Sequence, residues 1–327
     1  MEILEGSKGL IRRLRNPVVT IGNFDGVHLG HQALFQETVH RARKTSGEAV
    51  ALTFHPHPLK VLRPEAPVKL ICTWEDKVEL IRRAGLDILI WFRFNQNFAR
   101  ISAEDFVSQY LVKMLGTKTL VVGYDYAFGR GRKGNIDFLK EAGERFGFEV
   151  VVVPPQKIDG LVASSTKVRE LVAAGEVSTV KKILGRFYQI RGVVIPGHGR
   201  GGRLLGIPTA NLRIPGDELY PRVGVYAVQV IVGDRCYGGV MNIGFNPTFA
   251  NGDLSAEVHI FDFSQDIYGQ EIKINLIERL RDERKFSSAE ELARQIRADI
   301  EVARKILARE AGAMASACLE ELKAAAS

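Results

Sequence analysis

At about residue 186 the chain changes texture, and that change limits what it can fold into more than any other feature. Before it, PVVTIGNF (17–24), AVALTF (49–54), DILIWFRF (87–94), TLVVGYD (119–125) and FEVVVVP (148–154) read as buried strands. Between them, HQALFQETVHRARKTSG (31–47), EDKVELIRRAG (75–85) and AEDFVSQYLVKMLG (103–116) have helical spacing, with Leu34, Phe35, Thr38 and Val39 along one side of the first. Continuous apolar strands separated by amphipathic helices call for a parallel sheet covered on both faces. STKVRELVAAGEVSTVKKILG (165–185) adds two short helices broken at Gly175.

After residue 186 come short β-rich runs, YQIRGVVI, GVYAVQVIV, RCYGGVMNI, SAEVHIFDF and EIKINLI, with Gly, Pro and Asn turns between them and no good helix. That pattern predicts an antiparallel barrel or sandwich. A final helix, Ser288 to Arg309, repeats Leu292, Ile296, Ile300, Ala303 and Leu307 at helical spacing behind an N-cap serine, and is expected to pack on the barrel. The Ala-rich tail reads as an extension of that helix or as a frayed end. The 327 residues suit about two domains. The expected domains are an α/β domain over 1–185 and a β-barrel domain with a C-terminal helix over 186–310, followed by the tail, 311–327.

With 46% hydrophobic and 25% charged residues, the chain falls outside the disordered, collagen-like and disulfide-rich classes. Cys72, Cys236 and Cys318 are far apart and form no CxxC pair, so neither a disulfide framework nor a cysteine zinc site is expected, and a reducing compartment fits best. No apolar stretch of signal-peptide or membrane-spanning length occurs, which gives a cytoplasmic expectation. The net charge of +7 favours polyanionic partners, either nucleic acid or phosphorylated small molecules. Basic residues are interspersed with acidic ones, as in Arg279, Arg281, Asp282, Glu283, Arg284 and Lys285, which reads as a solvated mixed-charge face.

The first chemical motif is GNFDGVHLGH, Gly22 to His31, a strand end that passes through a glycine-rich loop into a helix. Amides at such a helix start carry partial positive charge and can hold phosphate. Gly22, Asn23, Phe24, Gly26, His28, Gly30 and His31 are therefore candidate nucleotide contacts. The HxGH spacing can set both imidazoles over one phosphate chain, where they donate hydrogen bonds to developing charge. The dinucleotide fingerprint GxGxxG and the P-loop GxxxxGK[ST] are both absent. A second candidate is the helix start at Ser164, Ser165 and Thr166, with Lys167 and Arg169 placed to face an anion. The third, GHGRGGRLLGIPTANL (197–212), opens with a glycine-rich loop containing Arg200 and Arg203 that can fold over phosphates. Its Thr209 and Asn211 offer hard oxygen ligands suited to Mg²⁺ that bridges nucleotide phosphates.

HxGH followed by a Ser/Thr/Lys/Arg helix start resembles the nucleotidylyltransferase superfamily, which implies a Rossmann-like parallel sheet for the first domain. TFHPHP (53–58) and GYDYAFGRGRKGN (123–135) look like the adenylyltransferase module of the prokaryotic bifunctional riboflavin kinases and FAD synthetases. Pro56 and Pro58 stiffen a strand-end loop, and Phe54 and Phe128 can stack on a flat ring. The resemblance implies these four residues and Asp125 as flavin contacts. The 197–212 string is similar to the signature of the riboflavin kinase module, implying Gly197, Gly202, Arg203, Gly206, Pro208, Thr209 and Asn211 as ATP contacts. NIGFNPTF (242–249) and AEVHIFDF (256–263) also match that module, and alternation in the latter puts Glu257, His259 and Phe261 on one face.

In that family the glutamate at this place takes the 5′-hydroxyl proton of riboflavin, so Glu257 is implied as a catalytic base alongside the catalytic histidines His28 and His31. RLRDERKF (279–286) lies where the family closes over the flavin, implying Arg281 and Phe286. Ile207 departs from the usual phenylalanine and Lys167 from the common arginine. The resemblance implies two reactions, riboflavin to FMN and FMN to FAD, with ATP, riboflavin and FMN as small-molecule partners and Mg²⁺ as metal. Neither a nucleic-acid nor a membrane partner is expected, and an oligomer is possible. The competing readings are a chain with only one working module, and a nucleic-acid-binding regulator built on old catalytic modules.

Overall fold

The computed structural model describes residues 1–6, 9–10, 12–66, 68–196, 206–213, 216, 218–245 and 254–326. The chain divides into two compact units, Met1–Ser165 and Thr166–Ser327.

In the first unit six strands form one sheet: β1 (Glu2–Glu5), β2 (Val18–Ile21), β3 (Ala49–His55), β4 (Ile88–Arg93), β5 (Thr119–Gly123) and β6 (Glu149–Val153). Their order is β1-β4-β3-β2-β5-β6 and every neighbouring pair is parallel. The chain thus winds one way from β2 to β4, then crosses back to lay β5 on the other side of β2. Apolar side chains on both faces of the sheet explain the unbroken strand runs, because helices cover both sides. The Leu29–Lys44 helix buries Leu34, Phe35, Thr38 and Ala42. Thr38 is tolerated there because its hydroxyl donates to the Leu34 carbonyl at 2.7 Å. The helix expected over 103–116 forms, but from Phe106 to Met114 it winds in the wider π pattern. β1 has no counterpart in the sequence reading, since EILE is a short, mostly exposed edge strand without an apolar run. A two-stranded hairpin, β7 (Lys157–Ile158) and β8 (Leu161–Val162), precedes the Ser165–Ala174 helix.

The Ser165–Ala174 helix, which runs into the second unit, and the Val177–Leu184 helix break at Gly175, as the sequence implied. Then come β9 (Tyr188–Ile195), β10 (Ala210–Arg213), β11 (Gly224–Val232), β12 (Arg235–Phe245), β13 (Leu254–Ile260) and β14 (Glu271–Arg281). They close into an antiparallel barrel in the order β10-β13-β12-β11-β14-β9, with β9 pairing back onto β10. All of β11 is buried, unlike a half-solvated strand. One of its faces looks into the barrel, and Val225 and Ala227 on the other meet Ala303, Ile306 and Leu307 of the Ala289–Arg309 helix. Ser288 caps that helix, its hydroxyl accepting from the Glu291 amide at 3.1 Å.

The tail neither extends that helix nor frays: after Glu310 it forms its own helix, Ala311–Ala326. Gln229 donates from Nε2 to the Met314 carbonyl at 2.8 Å, and Lys273 pairs with Glu321. Cys236 and Cys318 are joined as a disulfide with Cα atoms 6.2 Å apart, which corrects the expectation that the cysteines stay unpaired. The partners are 82 residues apart and carry no spacing signature; only docking of the tail helix brings them together. Cys72 is a buried thiol. Among the described residues no helix is long and apolar enough to cross a membrane.

Arg281 is held from the helix side: its Nη2 reaches Asp299 at 2.7 Å, its Nε lies 3.1 Å from both carboxylate oxygens, and its Nη1 donates to the Asp282 carbonyl. Asp299 is only 5% exposed. Asp299→Ala leaves a largely buried guanidinium without its counter-charge and is expected to destabilise the second unit by roughly 3 kcal/mol, read as a lower urea midpoint.

Candidate functional site

β2 ends at Ile21 and the next helix begins at Leu29, so the GNFDGVHLGH segment lies over the carboxyl end of the sheet. It sits where the strand order reverses between β2 and β5, the crevice in which open α/β sheets receive ligands. Its backbone is strained: Phe24 and Val27 have φ of 50° and 39°, a left-handed conformation that β-branched valine strongly disfavours. Gly26 has φ 78°, and a Cβ there would come within 2.6 Å of the Ile71 side chain.

Such a loop persists only when its surroundings fix it. Lys77 Nζ and the Thr53 hydroxyl both donate to the Asn23 carbonyl, at 2.9 and 3.3 Å. The buried Asp25 carboxylate accepts from the Ile71 amide at 3.1 Å, and the Gly26 amide donates to Cys72 Sγ at 3.3 Å. Ser165 Oγ donates to the Asp25 carbonyl at 3.0 Å, tying the second predicted motif to the first.

The Leu29–Lys44 helix starts without a side-chain cap from His28 and with no acidic residue in its first turn, so its positive end faces the loop undiminished. The His28 and His31 rings stack with centroids 3.6 Å apart, and Phe24 meets His31 edge-on at 5.3 Å. Gly30 lets them close: a Cβ there would approach both the His28 ring and the Ala163 carbonyl to 3.0 Å. Burial, then the charges of His28 and Lys77, push the His31 pKa well below the usual imidazole range. His31 is therefore a neutral imidazole at pH 7, able to donate one hydrogen bond.

Ser164 is half-buried beside Ser165. Thr166 and Arg169 lie on the Ser165–Ala174 helix past the boundary of the first unit, and Lys167 pairs with Glu170 one turn on. Sequence reasoning passed over Lys77. Its signal was position: with Val78 and Ile81 it stands on the buried stripe of the Trp74–Arg83 helix, where an ammonium needs a reason.

Phe54 and Phe128, both half-buried, belong to one aromatic layer. It runs from Phe54 through Phe98 and Phe106 to Phe128 with centroid spacings of 5.6, 6.4 and 5.4 Å. Pro56 follows a cis peptide bond, and Pro58 opens the Pro58–Leu62 helix that His57 caps. Asp125 is exposed just past the end of β5.

In the barrel, β10 pairs with β13 so that Asn211 stands opposite Glu257, and β12 pairs with β13 so that Asn242 stands opposite it on the other side. Opposed residues of antiparallel strands share a face, so Asn211, Glu257 and Asn242 form one polar row across three strands. Pro208, Thr209 and Ala210 line a cavity of about 520 Å³ together with Phe263, Ile267 and Tyr268. His259 Nδ1 lies 2.8 Å from the Pro208 carbonyl, which makes that nitrogen the donor. Ile207 is buried, and Gly206 has φ 66°. Phe286 is half-buried, with the guanidinium carbons of Arg281 and Arg284 at 5.8 and 4.7 Å from its ring centre. Gly197, Arg200, Gly202 and Arg203, and residues 246–249 of the NIGFNPTF string, lie outside the described residues.

Residues 10–167 match the family model for FAD synthetase and residues 184–307 that for riboflavin kinase. A curated relative from Pseudomonas fluorescens described as "Bifunctional riboflavin kinase/FMN adenylyltransferase" is 38% identical, over 94% of this chain and 98% of its own length. Proteins of the same description from Escherichia coli strain K12 and Listeria monocytogenes are 37% and 39% identical, covering 88% and 90% of this chain and 92% and 93% of their own lengths. A solved structure described as a macrolide-efflux protein from Streptococcus pneumoniae matches with a TM-score of 0.86 at 35% identity, over 93% of this chain and 99% of that one.

Proposed function

The chain belongs to the family of bifunctional riboflavin kinases/FMN adenylyltransferases, and on that premise we propose which of its residues carry each half of the work. The C-terminal module phosphorylates riboflavin to FMN with ATP, and the N-terminal module adenylylates FMN to FAD with release of pyrophosphate. The observation that carries this reading is that single relatives named for both activities align with 88–94% of the chain, spanning both modules at once.

In the kinase step Glu257 accepts the 5′-hydroxyl proton of riboflavin as that oxygen attacks the γ-phosphorus of ATP, and ADP leaves. Among the described residues no His, Cys, Asp and Glu cluster could cage a metal ion. A Mg²⁺ that keeps several waters would need only one or two protein oxygens, which the Thr209 hydroxyl and the Asn211 amide oxygen, in register with Glu257, would supply. When bound, the ion neutralises phosphate charge. Thr209 and Asn211 would hold it, Gly197, Gly202, Arg203, Gly206 and Pro208 contact the nucleotide, and Arg281 and Phe286 border the flavin.

In the adenylylation step a phosphate oxygen of FMN attacks the α-phosphorus of ATP. His28 and His31 donate to the charge that develops there, and the 22–26 loop and the Ser164, Ser165, Thr166 and Arg169 segment hold the phosphates. Phe54, Pro56, Pro58, Asp125 and Phe128 border the flavin of this second site. We place the functional boundary at 185/186, assigning the Ser165–Ala174 helix to nucleotide binding although it packs with the second unit. We further read the enzyme as cytoplasmic, serving small-molecule substrates rather than nucleic acid.

Incubating the protein with riboflavin, Mg²⁺ and ATP and resolving the flavins by chromatography tests this reading. Sequential appearance of FMN and then FAD is expected. FMN alone, or FAD formed only from added FMN, would leave a single working module, and neither product with salt-sensitive RNA binding would favour the regulatory reading.

A further inference from the structure

Lys77 is the one charged residue of its helix that is buried, at 6% exposure. Its ammonium has three donors, and its one hydrogen bond goes to the Asn23 carbonyl at 2.9 Å. Among the described residues no carboxylate pairs with it within 4 Å; its Nζ lies 5.6 Å from the Trp74 ring centre, and burial lowers its pKa, an effect that Cys72 and Asp25 oppose through space. Burying a cation with one neutral acceptor is costly, so packing alone gives no reason for lysine rather than leucine on this stripe. What distinguishes the position is the group it holds: Asn23 lies in the strained loop that leads into the histidine pair.

We propose that Lys77 is a positioning residue for adenylyl transfer, which clamps the phosphate loop through the Asn23 carbonyl and brings an ammonium group to the site of the stacked histidines. This rests on the assignment of adenylyl transfer to the His28–His31 site. The charged and titratable groups that act on His31 are His28 and Lys77, both of which oppose its protonation. Removing the Lys77 ammonium takes away one of the two charges that oppose His31 protonation, so the His31 pKa rises, and the incoming triphosphate loses the one lysine buried at the loop among the described residues.

The test compares full-length wild type, Lys77→Met and Lys77→Arg, following FMN adenylylation against pH and riboflavin phosphorylation in the same sample as an internal control. Lys77→Met is expected to lower kcat/KM for adenylylation about 100-fold, as misplacement of a reacting group does. The acid limb of its pH profile should shift upward, and Lys77→Arg should recover most of the rate with the wild-type profile. Histidine titration by NMR, with His31 assigned from His31→Gln, gives a second readout, and His31 should titrate at higher pH in Lys77→Met. Equal losses in Met and Arg variants, with the profile and the His31 titration unmoved, would make Lys77 a packing residue and overturn the proposal. If Lys77→Met fails to fold, a Lys77→Arg protein with a displaced His31 titration and a lost rate would overturn it too. If His31→Ala leaves adenylylation intact, the assignment of the site itself has failed, an outcome separate from a silent Lys77→Met.

Discussion

Glu257→Gln is expected to reduce formation of FMN from riboflavin by about 10²- to 10⁴-fold, the contribution typical of a positioned general base, while conversion of added FMN to FAD proceeds at the wild-type rate. Glutamine keeps the size and the hydrogen-bonding reach of the side chain and removes only its basicity, so the loss should fall on kcat rather than on the KM for riboflavin. Glu257 sits in mid-strand between Asn211 and Asn242, where the barrel ladder fixes its place on both sides, so the variant should fold. Measuring both products from one preparation separates chemistry from folding. Loss of both activities in a protein with an unchanged urea transition would refute two independent centres.

His31→Ala should give the mirror image, with adenylylation down by about 10²- to 10³-fold, comparable to removing one donor from an oxyanion site, and riboflavin phosphorylation intact. The ring stacks on His28 and touches Phe24, so its removal also loosens the pair. His31→Gln, which restores a donor near the same place, should recover part of the rate, whereas a purely structural role would leave Ala and Gln alike. Because His31 is held neutral by burial, the wild-type rate should stay flat through pH 7 and change only at lower pH, where the imidazole gains its proton.

Much of this architecture is legible in the sequence, and the reasons are physical. A parallel sheet covered on both faces has no polar side, so its strands show as unbroken apolar runs, while a barrel joined by short turns shows its Gly, Pro and Asn punctuation. The GNFDGVHLGH string was legible because a strand end, closely spaced glycines and paired histidines coincide within one turn of chain. What escaped depends on contacts between distant segments. Lys77 reads as an ordinary polar position until the Asn23 carbonyl is brought to it. The pairing of Cys236 with Cys318 has no local signature because it exists only once the tail helix has docked on the barrel. Arg281 reads as a ligand-facing residue of the RLRDERKF string, yet its guanidinium is also committed to Asp299 of the following helix.

The alignment of Asn211 with Glu257 has a consequence for how the kinase centre can change. The proposed metal ligand and the proposed base are locked to one rung of the same hydrogen-bonded ladder. Sliding β10 by a single residue would turn Asn211 to the opposite side of the sheet and break its partnership with the glutamate. Insertions in the connections on either side can therefore change the surroundings of this row, while the spacing of Asn211 and Glu257 stays fixed by the backbone pairing.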